Sequence, residues 1–161
     1  MEEQKFEFRY SVFSSINELT EADKSLLLEA RSATQKSYAP YSNFHVGAAA
    51  RLQSGSVLSG ANQENAAFPI GMCAERVVLA TAASNFPQEP VTTMAISYES
   101  KGGPSDHPIS PCGMCRQTLQ EAESRTGRPI KLILGGMEGA VYVIESAGQL
   151  LPLAFTSTEL K

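Results

Sequence analysis

The sequence has no cluster of lysine and arginine, no apolar run near the length of a membrane span, and no even set of cysteines from which to build a disulfide framework. Each absence closes a class of function. With 13 basic side chains against 17 acidic ones and a formal charge of −4, nothing in the chain would track a phosphate backbone, so no nucleic-acid partner is expected. A membrane helix needs about 20 consecutive apolar residues, and the charged, aromatic N-terminus lacks the apolar core of a signal peptide. The expectation is a cytoplasmic protein with no membrane partner. No internal repeat or interdomain linker interrupts the 161 residues. They are most simply one domain over 1–161, large enough to bury roughly 70% of the unfolded surface.

The three cysteines fall into two phrases, Cys73-Ala74-Glu75 and Pro111-Cys112-Gly113-Met114-Cys115. An odd count confined to one metal-like pattern argues for reduced thiols. Zinc takes four tetrahedral ligands, and three from the protein leave one position open, which is the arrangement of a catalytic site. Cys73, Cys112 and Cys115 are therefore the candidate ligands. Glu75 stands two residues from Cys73, and residues i and i+2 do not share a helix face. It lies beside the metal, placed to take a proton from an attacking water and return it to a leaving group. That is hydrolytic chemistry. Cys112 and Cys115 alone would also fit a thiol oxidoreductase, and His45 or His107 would close a structural-zinc binding module. The Cys73-Ala74-Glu75 context favours the catalytic reading over both.

Alternation of Phe6, Phe8, Tyr10 and Val12 with polar residues predicts a strand over 5–13, serving as a sheet edge or a subunit contact. Thr20-Glu21-Ala22-Asp23 resembles a capping box, and Leu26, Ala30 and Ala33 recur at helical spacing up to about Lys36. Residues 44–52 alternate, Ser54-Gly55-Ser56 turns the chain, and 57–61 returns, a β-hairpin. A helix is expected over 72–84 with Cys73 and Glu75 in its first turn, then a strand over 93–98. A second cysteine-bearing helix follows from Cys112 to near Gly127, and strands over 130–134 and 140–144 complete the chain. The order αββαβαββ, after an extra N-terminal strand, implies an α/β sheet covered on both faces.

Three thiolates around Zn²⁺ sum to −1, which weakens the pull of the metal on water. Two helix N-termini facing the sulfurs each supply partial positive charge, and Arg76, three residues after Cys73, shares its helix face.

Cys-Ala-Glu followed by Pro-Cys-x-x-Cys resembles the zinc-dependent cytidine deaminases, in their homotetrameric three-cysteine type. The likeness runs over about 37–155, through Tyr41-Ser42-Asn43-Phe44-His45-Val46-Gly47, Asn62-Gln63-Glu64-Asn65-Ala66 and Cys112-Gly113-Met114-Cys115-Arg116-Gln117. It implies a three-layer α/β/α sandwich around a mixed five-stranded sheet, with 1–15 as an added strand segment. It also implies one zinc per chain and deamination of free cytidine and deoxycytidine in pyrimidine salvage, by a homotetramer with shared active sites. By the same resemblance, Asn62 and Glu64 bond the ribose, and the Glu64 carboxylate opposes a phosphate. Phe44 lines the base pocket, and the Ala74 carbonyl accepts from the amino group. Phe68 and Phe155 reach a neighbouring subunit's site, and Arg76 is held against the thiolates. A deaminase of another aminopyrimidine or of a nucleoside antibiotic is the alternative. Three stretches depart from the pattern: a longer loop over 100–110, Pro69 before the first cysteine, and 135–149.

Overall fold

The computed structural model describes residues 1–160. In chain order the elements are β1 (Ser11–Phe13), α1 (Glu21–Ala33), β2 (Phe44–Leu52), β3 (Val57–Ala61), α2 (Ala74–Asn85), β4 (Val91–Ser100), α3 (Gly113–Thr126), β5 (Lys131–Gly135) and β6 (Val141–Ile144). They form one six-stranded sheet in the order β1-β6-β5-β4-β2-β3. Only β4 and β5 run parallel, because α3 carries the chain across the sheet between them.

The period of two along each strand fills both faces of the sheet. Ala49, Ala95, Ile133 and Val141 pack against Leu26, Leu27 and Ala30 of α1. Ala48, Ala50, Met94, Ile96, Leu132 and Leu134 pack on the other side against Val78 and Leu79 of α2 and Leu119 of α3. The result is the three-layer α/β/α sandwich, with both cysteine-bearing helices on one face. Helix α1 starts where Thr20 accepts a hydrogen bond from the Asp23 amide at 3.2 Å. Gly47 lets β2 lie directly on α1, since a Cβ there would overlap the Ala30 carbonyl and the Thr34 amide.

The N-terminal segment needs correction. The strand expected over 5–13 is paired only at Ser11–Phe13, against Val141–Val143, and this pairing makes the sheet six-stranded. The reason lies in the partner: β6 ends at Ile144 and the chain turns into a 3-10 helix at Ala147–Leu150, so nothing remains beside 5–10. Tyr10 still rests on Tyr142, with ring centroids 5.0 Å apart. Among the described residues no helix is long and apolar enough to cross a membrane.

Candidate active site

Cys73 and Cys112 are the N-cap residues of α2 and α3, both in extended conformation, and neither side chain caps its own helix. The two sulfurs are therefore free to point at each other across the helix N-termini, 3.7 Å apart. Cys115, buried in the first turn of α3, lies 3.5 Å from Cys112. All three Sγ atoms fall within 4.8 Å of one another. These separations are far too long for a disulfide. They match a tetrahedral zinc, whose sulfurs at about 2.3 Å stand about 3.8 Å apart.

The electrostatics fit the same cation. A hydrogen bond from the Cys115 thiol holds Cys73 down at about 6, with Arg76 adding attraction, while burial opposes it. Cys115, as the donor in that bond and buried, is pushed well above the ordinary thiol range. Sulfurs that must share protons at this distance release them to a divalent ion. His45 and His107, the two weighed as a fourth ligand, lie outside the sulfur cluster. His45 sits in β2 opposite Glu99, and His107 bonds Tyr98 and Asp106.

Glu75 is 5% exposed, and burial pushes its carboxyl up from the ordinary range. That shift moves it toward the range where one group both accepts and gives a proton near neutral pH. Glu75, Cys73 and Cys112 line a cavity of about 420 Å³ together with Ala74, Phe44, Asn62, Glu64 and Phe68. Residues from four separate sequence motifs thus meet at one opening.

Their meeting has a backbone cause. Gln63 and Met72 exchange hydrogen bonds at 2.8 and 2.9 Å, and Tyr38 pairs with the same segment, which holds 62–65 against the residue preceding Cys73. Asn62 is largely committed to the scaffold: its Oδ1 accepts from the Val46 amide at 2.8 Å and from the Ser37 hydroxyl, and its Nδ2 donates to the Phe44 carbonyl at 3.0 Å. Glu64 accepts from the Tyr41 and Ser42 amides, at 2.9 and 3.3 Å, and from the Ser42 hydroxyl. The hydroxyl bond above all holds its carboxyl below the usual range, so it is ionised.

Two expected residues lie apart from the cavity in the single chain. Phe155 is 60% exposed, its carbonyl accepting from Gln117 Nε2 at 2.9 Å. Arg76 lines a separate groove between α2 and α3, with Leu79, Phe86 and Arg125. Arg116 has a structural task, donating to the Pro111 carbonyl at 2.9 Å and the Leu150 carbonyl at 3.1 Å, so that it ties the loop before Cys112 to the C-terminal segment. Sequence reasoning missed Met72, Ile109, Ser110 and Met114, which also line the cavity. Met72 adjoins Cys73, Met114 lies between Cys112 and Cys115, and Ile109 and Ser110 precede Cys112 by three and two residues, and that closeness was the available signal.

A family model described as the cytidine and deoxycytidylate deaminase zinc-binding region matches residues 20–127. A cytidine deaminase of Halalkalibacterium halodurans is 37% identical over 139 residues, which cover 86% of this chain and 98% of that protein. The crystal structure of cytidine deaminase from Burkholderia pseudomallei is similar with a TM-score of 0.72 and 39% identity, covering 85% of this chain and 100% of that one. A blasticidin-S deaminase of Bacillus cereus is 31% identical over 114 residues, 70% of this chain and 77% of its own length.

Proposed function

The chain belongs to the zinc-dependent cytidine deaminase family, and we propose that it hydrolyses the 4-amino group of cytidine and deoxycytidine as a homotetramer whose subunits share their sites. The observation that carries this reading is the buried Glu75 carboxyl on the wall of the cavity that the cysteine sulfurs border. Zinc, one per chain at Cys73, Cys112 and Cys115, supplies Lewis-acid activation of the attacking water. The proton traffic falls to Glu75. It takes one proton from water as the oxygen bonds to C4 and delivers it to N3, then takes the second from the new C4 hydroxyl, which becomes the carbonyl, and passes it to the amine. The C4–N bond breaks, ammonia leaves, and uridine or deoxyuridine remains. The Ala74 carbonyl accepts from the amino group, Phe44 faces the base, and Asn62 and Glu64 face the ribose.

The ionised Glu64 supports a free nucleoside over a nucleotide, since a 5′-phosphate would be brought toward a standing negative charge. Phe68 and Phe155 are 73% and 60% exposed. Phe68 stands on the cavity wall and Phe155 away from it, and aromatics left this open gain burial when a second subunit arrives, which supports a shared site. Reduced thiols suit a cytoplasmic setting. The likeness to a blasticidin-S deaminase supports a second reading, in which the base belongs to a nucleoside antibiotic.

Ammonia release from the purified protein decides between them, with cytidine, deoxycytidine, CMP, adenosine and blasticidin S offered separately. Turnover of the two pyrimidine nucleosides far above the others is expected. Preference for blasticidin S or for CMP would overturn the substrate assignment.

A further inference from the structure

Phe44, on the wall of the cavity, stacks on Tyr98 with ring centroids 4.9 Å apart and planes at 23°. Tyr98 in turn is 1% exposed, and burial keeps its phenol protonated. Its hydroxyl lies 3.1 Å from Nδ1 and 3.3 Å from Nε2 of His107, whose ring meets the Tyr98 ring edge-on. Asp106 Oδ1 stands 3.1 Å from His107 Nδ1. With Nδ1–H donating to the Asp106 carboxylate, Nε2 is left to accept from the phenol.

The loop carrying His107 is itself held. The Ser105 hydroxyl accepts from the Ser100 amide at 2.8 Å, and the Ser105 carbonyl accepts from the Met137 amide at 2.7 Å. Gly136 and Gly139 lie so close to Ser105 and Asp106 that a Cβ at either would overlap their carbonyls. Past His107 the loop returns to the site, where Ile109 and Ser110 line the cavity.

We propose that His107 is a positioning residue for the base pocket: by holding the Tyr98 hydroxyl, it fixes the ring on which Phe44 stacks and so sets the wall that receives the planar base. This rests on the nucleoside reading of the cavity. It gives the long 101–110 loop a task that depends on one polar contact. Without His107 the buried phenol has no partner and turns toward water, and the stack beneath Phe44 loosens. The three sulfurs and Glu75 are untouched.

The test is a double-mutant cycle of His107→Ala and Tyr98→Phe, with His107→Gln as the conservative variant. His107→Ala should raise KM for the nucleoside by about 3- to 10-fold, the range expected for a disturbed aromatic pair, with kcat changed much less. His107→Gln, which can still accept from the phenol, should recover most of the loss. In the Tyr98→Phe background the His107→Ala change should add little, because the contact is already gone. Near-ultraviolet circular dichroism should change on His107→Ala and persist in His107→Gln. An unchanged KM and spectrum in His107→Ala, or a full additional effect in the Tyr98→Phe background, would overturn the proposal. If the wild type turned over no cytidine, the substrate reading would fail. The dichroism cycle would still decide whether His107 holds the aromatic stack.

Discussion

Gln63 and Met72 exchange both of their backbone hydrogen bonds, and this one pair joins the segment of Asn62 and Glu64 to the residue before Cys73. Sugar recognition and metal chemistry are thereby coupled through the backbone. The side chains on either side of Gln63 each make three scaffold bonds, but those of Asn62 are half-buried and those of Glu64 exposed, so their loss differs in cost.

Glu64→Ala should act mainly on recognition. Loss of a hydrogen bond to an ionised group should lower kcat/KM for cytidine by about 10- to 100-fold, with discrimination against CMP reduced. Asn62→Ala should do something more, because Asn62 also joins Phe44, Val46 and Ser37. It should cost about 1–3 kcal/mol of stability in addition to activity. Kinetics and thermal denaturation of the two variants, taken together, check the split; equal destabilisation by both would contradict it.

Gly139 has a φ of 79°, in the left-handed region, and a Cβ there would overlap the Asp106 carbonyl. Alanine there meets strain and overlap at once. Gly139→Ala should destabilise by about 2–4 kcal/mol and speed proteolysis within the 101–110 loop. Limited proteolysis with mapping of the first cleavage is the check, and cleavage elsewhere would show that the glycine does not seat this loop.

That contact also marks what the sequence could and could not disclose. The hairpin of β2 and β3 was legible to the residue, because alternation and a Ser-Gly-Ser turn are local properties. The cysteines at the starts of α2 and α3 were legible for the same reason. Two of the three stretches that departed from the family pattern, 100–110 and 135–149, proved to be partners in part: Ser105 and Asp106 lie on Gly136 and Gly139. A contact over 30 residues of sequence leaves no periodic trace. The overextended first strand has the opposite origin. Its alternation over 5–13 is genuine, but a strand exists only where a neighbour offers a ladder, and β6 is four residues long.

Phe155→Ala tests the shared site. The residue is 60% exposed in its own chain, so its loss should leave thermal stability and zinc content near wild type while lowering activity at least about 10-fold. Analytical ultracentrifugation should find the wild type as a tetramer. A fully active monomer would reduce Phe155 to a surface residue.

The sharpest separation of catalysis from structure lies between Glu75 and Cys112. General acid–base groups contribute about 10²- to 10⁴-fold, and here one carboxyl serves both water activation and amine departure. Glu75→Gln should therefore cost at least the upper part of that range. The side chain is buried and charge-disfavoured, so a neutral amide of the same size should leave folding intact. Zinc should stay near one per chain, since Glu75 is not among the clustered ligand atoms. Cys112→Ala removes the sulfur that stands 3.7 Å from that of Cys73 and 3.5 Å from that of Cys115, close to tetrahedral spacing. Metal and activity should fall together. Metal analysis and ammonia release on both variants form a single test, because the assignment requires them to differ in zinc and agree in lost turnover. An active Glu75→Gln enzyme, or one that lost zinc as readily as Cys112→Ala, would place Glu75 in the metal site's framework instead of on the path of the proton.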